Sequence, residues 1–101
     1  MKLAGYEFDG LYTNPSDVKE LPGVYIVLSV KVLDVGESGG RYREGGQGVS
    51  TRLRRHSRKP RWKEFGDTGE IVFAVLYEPE GGKRREIEKT VRRYYVPPCG
   101  S

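Results

Sequence analysis

Apolar positions along the chain cluster into three runs that predict strands. Residues 23–30 (GVYIVLSV) and 71–77 (IVFAVLY) are nearly continuously apolar and rich in β-branched and aromatic side chains, as expected of strands buried on both faces. Residues 32–36 (VLDVG) form a third run. This run follows the first too closely for a crossover, so the two are predicted to pair as an antiparallel hairpin.

The segment before the first strand is more polar and carries turn signals. Residues 1–14 hold aromatic side chains among turn-forming residues and are predicted to pack as an irregular arm. Residues 14–21 predict a short helix, because Asn14 suits the cap and Pro15 suits the first helical position.

Between the second and third strands the pattern changes from glycine-rich to helical. Residues 36–48 contain six glycines and predict a flexible loop. Residues 49–56 then have apolar positions one turn apart and predict a helix, which Pro60 is expected to end. Trp62 and Phe65 are predicted to pack a second short turn against the core.

A final amphipathic stretch, residues 82–94, predicts the last helix. The resulting order, β-β-α-β-α, favours an α/β domain of the α+β kind, with a small three-stranded mixed or antiparallel sheet flanked by helices. At 101 residues the chain suits one domain. Its core is expected over residues 22–100, with residues 1–21 as an N-terminal arm and short helix.

The distribution of charge indicates a class of ligand, because the basic residues are concentrated in two segments. The formal net charge is +4, but residues 41–63 contain nine basic residues and a single acid, and residues 83–101 contain six basic residues and two acids. Such clustering is typical of a face that binds a polyanion. A solvated basic surface without a partner is the simpler alternative.

Cysteine and histidine content narrows the chemistry and the compartment. The chain has one cysteine, Cys99, and one histidine, His56, so neither an internal disulfide nor a zinc site can form within one chain. The first residues lack the apolar stretch of a signal peptide, and no apolar run is long enough to span a membrane. These features favour a cytoplasmic protein without a membrane partner.

Three groups of residues are candidates for chemistry. Arg52 and His56 lie one helical turn apart, which suits phosphate binding and proton transfer, although a solvated basic helix explains them equally well. Glu88 is a candidate ligand for a hard divalent cation. The alternative for Glu88 is a surface charge ladder with Arg84 and Arg92, four residues to either side, and spacing alone favours that alternative.

The strands contribute two further candidates. Tyr25 lies on the first strand, where a tyrosine usually serves packing. Asp34 interrupts an apolar strand, so it needs a polar partner or a wet cleft. The glycines that follow Asp34 do not form the phosphate-binding pattern of ATPases.

Taken in order, these segments resemble the motifs of the GIY-YIG nuclease superfamily. The matching residues are Pro22-Gly23-Val24-Tyr25, then Asp34-Val35-Gly36-Glu37-Ser38, then Arg52-Leu53-Arg54-Arg55-His56, and finally Arg85, Glu88, Val91, Tyr95 and Pro97. The resemblance covers residues 22–100, and Gly23 and Gly36 are its motif glycines.

The resemblance implies an endonuclease that hydrolyses DNA phosphodiester bonds with one Mg²⁺ or Mn²⁺. It implies that Arg52 stabilises the scissile phosphate, that Glu88 ligates the metal, and that Tyr25 acts at the nucleophile with help from His56. The flanking backbone would be held by basic residues of the 41–63 segment, with monomer or weak homodimer as the expected state. These residues are Arg41, Arg43, Arg54, Arg55, Arg58, Lys59, Arg61 and Lys63.

Two positions depart from the family pattern. Asp34 stands where the second motif usually has tyrosine, and Gly100 stands where the family has asparagine. Asp34 is expected either to orient Arg52 or a metal-bound water, or to mark a catalytically inactive domain that only binds nucleic acid. A domain whose basic face binds an acidic protein, and RNA in place of DNA, are further alternatives.

Overall fold

The computed structural model describes residues 1–39, 48–54, 59–66 and 70–99, which form a small α+β domain. Its strands are β1 (Lys2–Leu3), β2 (Tyr6–Glu7), β3 (Asp9–Tyr12), β4 (Gly23–Leu28), β5 (Val32–Ser38) and β6 (Val72–Tyr77). Its helices are a 3₁₀ turn (Pro15–Asp17), α1 (Val49–Arg54), α2 (Lys59–Gly66) and α3 (Gly81–Tyr95).

The main sheet has four antiparallel strands in the order β3-β6-β4-β5, and β1 and β2 form a separate hairpin. All three apolar runs are strands, and β4 and β5 pair as the predicted hairpin. The prediction of three strands is wrong, as is the irregular arm, because β3 pairs with β6 at the edge of the sheet. Strand β3 (DGLY) joins the sheet through backbone hydrogen bonds, and only one of its side chains is partly buried.

Side chains of the central strand β4 alternate between two cores, one on each face of the sheet. Tyr25 and Val27 belong to the core that also contains buried residues of α1 and α2. Val24 and Ile26 belong to the other core, which includes Ile87 of α3. The near-continuous apolar sequence of β4 therefore reflects burial on both faces, as predicted.

The helices follow the predicted order with one correction. Pro60 does not end a helix; it is the second residue of α2, where its missing N–H would have no intrahelical partner in any case. The predicted end of the preceding helix, residue 56, lies outside the described residues. None of the helices in the described ranges has the length and apolarity needed to cross a membrane.

Candidate active site

The first two motifs of the sequence meet across the β4–β5 hairpin. Tyr25 pairs with Gly36 in register, and a Cβ atom at Gly36 would overlap the Tyr25 ring and hydroxyl. Glycine is therefore required at position 36 because the tyrosine ring lies directly over its backbone. Tyr25 is completely buried in this position.

Helix α1 is short, and two residues just before β4 fix its N-terminus. The Val49 amide donates to the Leu21 carbonyl oxygen at 2.9 Å, and the Thr51 amide donates to Glu20 Oε1 at 2.8 Å. The Thr51 hydroxyl donates to the other Glu20 oxygen. Because the first amides of a helix lack partners within the helix, these bonds replace a conventional cap. They hold α1, and with it Arg52, against the sheet.

Glycine at position 48 allows this close approach. A Cβ atom there would lie 2.5 Å from the backbone of Glu20 and Leu21. Partial burial tends to raise the pKa of Glu20, but the bonds from Thr51 and the charge of Arg54 outweigh it, so the pKa lies below its ordinary value. Glu20 is therefore held as the carboxylate that the helix N-terminus favours.

Arg52 projects from this helix with its guanidinium uncommitted. The side chain is half-buried, and α1 packs on both β4 and β5. Within the described ranges, the guanidinium of Arg52 makes neither a hydrogen bond nor an ion pair. The backbone amide of Arg52 donates to the Gly48 carbonyl oxygen. A half-buried guanidinium in this condition is suited to grip a phosphate.

On α3, three charged residues one turn apart face strand β5. Arg84 is buried and donates from Nε to Glu37 Oε1 at 2.9 Å. Arg92 reaches Asp34 Oδ1 at 3.3 Å and also donates to the Val35 carbonyl oxygen. Glu88 lies between these two arginines in the row, so it is directed at the stretch of β5 around Gly36.

Asp34 is the centre of a buried polar network. It has no exposed surface, and it accepts from Trp62 Nε1 at 2.7 Å and from the Val35 amide at 2.8 Å. The arginine described in an ion pair with Asp34 is Arg92. The expectation that this acid needs a partner is confirmed, and that it orients Arg52 or a metal-bound water stays a prediction.

Of the two ion pairs expected in the charge ladder of Glu88, both between described residues, the pair with Arg92 forms and the pair with Arg84 does not. Arg92 Nε lies 3.3 Å from Glu88 Oε2, but Arg84 pairs with Glu37 instead. Two carboxylates, those of Asp34 and Glu88, therefore lie beside the one guanidinium of Arg92. Arg92 therefore neutralises only one of the two carboxylates.

The residues present fit a single-carboxylate cation site. Within the described ranges, Arg92 is the protein partner of Glu88, through Oε2, which leaves the second oxygen for a ligand. Mg²⁺ characteristically takes one or two protein carboxylates and completes its shell with water and phosphate. No group of three or more His, Cys, Asp or Glu side chains that could hold a metal occurs in the part of the chain that is described.

The remaining predicted site residues divide into two sets. Those on described helices are Arg54, Lys59, Arg61 and Lys63, all on α1 or α2. Those outside the described residues are His56, Arg41, Arg43, Arg55 and Arg58.

Sequence reasoning overlooked the residues that organise this region. The sequence shows Arg92 only as a residue one helical turn after Glu88. Nothing in the sequence links Arg92 to Asp34, which lies 58 positions away. Trp62, the one tryptophan of the chain, was expected only to pack. A useful signal was Asp34 itself, because a strand acid demands a donor and an indole N–H is a donor that tolerates burial.

Comparison with known proteins identified no match: no family model, no curated protein and no solved structure is similar to this chain.

Proposed function

We propose that this domain is a divalent-metal-dependent endonuclease acting on DNA, similar to the GIY-YIG nucleases. The observation that carries the proposal is the convergence of distant residues on one stretch of β5. Tyr25 lies over Gly36, and Glu88 belongs to the α3 row whose arginines bind the residues on either side of Gly36. Three motifs that are separate in sequence thus have residues on or beside this stretch of β5, which supports the proposal.

Arg52 supplies the phosphate-binding element of the proposal. Its guanidinium stands ready to neutralise charge that develops on the phosphoryl oxygens during cleavage. Glu88, with water and a substrate phosphate, would hold the cation, which when bound would stabilise the same developing charge. Tyr25 is buried, so its action on a water molecule requires that the side chains covering it move aside when DNA binds.

The network around Asp34 makes the departure from the family pattern compatible with activity. Asp34 bonds to Trp62 and Arg92, and this role in the fold explains an acid at that position without any loss of Tyr25, Arg52 or Glu88. Asp34 then acts as a positioning residue for α3.

Plasmid nicking in Mg²⁺ or Mn²⁺ tests the proposal. We expect Arg52→Ala, Glu88→Gln and Tyr25→Phe each to reduce cleavage by about a hundredfold or more, the usual effect of removing a group that stabilises the transition state. Matched controls are Arg54→Ala on the same helix, assayed at saturating DNA, and Glu86→Gln, an exposed acid on α3. Controls that lose as much activity as the site variants would contradict the assignment.

A catalytically inactive nucleic-acid-binding module is the second candidate. The pairing of Glu88 with Arg92 favours it, because an arginine competes with a cation for that carboxylate. Salt-sensitive DNA binding by the wild-type protein, without cleavage in either metal, would establish this alternative.

A further inference from the structure

A groove beside α2 combines apolar walls with a basic rim. It has a volume of about 390 Å³ and lies between α2, the start of β6 and the segment that follows β3. Its walls include Pro15, Pro60 and Ile71, and Trp62 lies at its back. This volume is within the range of small-molecule sites.

The rim of the groove carries two lysines of one helical face. Lys59 and Lys63 are four residues apart on α2, so their side chains start about 6 Å apart along the helix. That separation is comparable with the spacing of successive phosphates along a single strand. None of the described residues that line this groove is a carboxylate, so this lining is complementary to a ligand with an apolar body and negative ends.

The back of the groove is bonded to the candidate active site. Trp62 donates its indole N–H to Asp34, and Asp34 pairs with Arg92, which in turn contacts Glu88. Three polar contacts therefore join the groove to the residue assigned to the cation.

We propose that this groove binds one unstacked nucleobase of the nucleic-acid strand, while Lys59 and Lys63 hold the phosphates on either side of it. The inference rests on the proposed nucleic-acid function and adds a base-binding subsite to it. The planar, weakly polar base matches the proline and isoleucine walls, and its flanking phosphates match the lysines. Binding is therefore stronger for a strand with bases than for a bare sugar–phosphate backbone.

The experiment compares a short oligothymidylate with an abasic strand of equal length and charge, in buffer containing a metal chelator so that no cleavage occurs. Trp62 is the single tryptophan, so its fluorescence reports on the groove directly. We expect the oligothymidylate to change this fluorescence and to bind about tenfold more tightly than the abasic strand, in line with the energy of one base contact. We expect Lys63→Glu to weaken that binding about fivefold or more.

Lys31→Glu is the matched control, because Lys31 is an exposed lysine in the turn between β4 and β5 and the substitution changes net charge equally. Equal weakening by both variants, equal affinity for the two strands, or an unchanged Trp62 signal would overturn the subsite. Base-dependent binding without any cleavage in Mg²⁺ or Mn²⁺ supports the subsite and refutes the nuclease. Cleavage without base dependence supports the nuclease and refutes the subsite.

Discussion

Helices α1 and α3 hold their arginines in opposite ways. On α3, Arg92 is bonded to Asp34, to Glu88 and to the carbonyl oxygens of Val35 and Cys99. On α1, Arg52 is half-buried as well, yet its guanidinium has no hydrogen-bond or ion-pair partner in the described part of the chain. Burial alone does not distinguish these side chains, whereas their partners do.

The contrast indicates how the domain divides its positive charge between folding and binding. A guanidinium whose three nitrogens all donate within the protein, as those of Arg92 do, stabilises the fold and cannot change partners without cost. A guanidinium that is held near the sheet by its helix, and that bonds to no described residue, is available to a ligand. Spacing in the sequence could not separate the two, because both arginines lie one turn from another charged residue.

The largest predicted effect on stability is at Arg92, whose guanidinium is bonded within the fold. Arg92→Ala removes the guanidinium that pairs with the buried carboxylate of Asp34 and that donates to the carbonyl oxygens of Val35 and Cys99. We expect the free energy of unfolding to fall by about 3 kcal/mol or more, as when one partner of a buried ion pair is removed. Urea unfolding followed by circular dichroism measures this change.

Arg93→Ala is the matched control, because Arg93 is the next residue and is exposed. It should change stability by about 0.5 kcal/mol or less. Arg92→Lys should recover only part of the loss, since one ammonium cannot replace a guanidinium that bonds in several directions. An Arg92→Ala domain as stable as Arg93→Ala would refute the network.

An intermediate effect is predicted for the support of α1. Glu20→Ala removes the acceptor of the Thr51 amide and hydroxyl and should cost about 1 kcal/mol at neutral pH, as loss of a helix cap does. Because the pKa of Glu20 is lowered from 4.5, its contribution is complete above that value and is lost as pH falls through the folded-state pKa.

Stability of the wild type and Glu20→Ala should therefore converge in acid. Chemical unfolding at about pH 7 and about pH 3 measures the difference, with Glu86→Ala, an exposed acid on α3, as the control. A difference that persists unchanged in acid would show that the carboxylate charge is not what supports α1.

The smallest stability effect is predicted at Arg52 itself. Since its guanidinium bonds to no described residue, Arg52→Ala should change the free energy of unfolding by about 0.5 kcal/mol or less. Thermal unfolding, measured on the same samples as the nicking assay, provides the comparison. A loss as large as that of Arg92→Ala would mean that Arg52 also serves the fold, and the contrast between the helices would fail.

Strong local signals made much of this fold predictable. The strands β4 and β6 are runs of mostly β-branched and aromatic residues, β5 begins with an apolar run that Asp34 interrupts, and the 15-residue helix α3 has a regular apolar stripe. Strand β3 lacked such a signal, because it contains Asp9 and Gly10 and gains its place from the backbone of β6. Pro60 was misinterpreted because proline both ends and begins helices, and local sequence does not decide which.

The candidate site was predictable in its residue types but not in its contacts. An acid in a strand indicates a missing donor, yet the donors proved to be Trp62 and Arg92, from two helices distant in sequence. Likewise, nothing near residues 49–54 shows that Glu20 supports the helix from 31 positions away. Such pairings arise from tertiary packing, which periodicity does not encode.

The outer edge of β5 has a consequence for how these molecules associate. Its Leu33 carbonyl oxygen accepts from the Cys99 amide, and its Val35 carbonyl oxygen accepts from Arg92. With these two carbonyl oxygens occupied, the edge is a poorer template for the strand of a second molecule. Loosening of α3 and the C-terminal segment would uncover these two oxygens, so we expect β5 to pair with a second molecule more readily in partly unfolded molecules than in native ones.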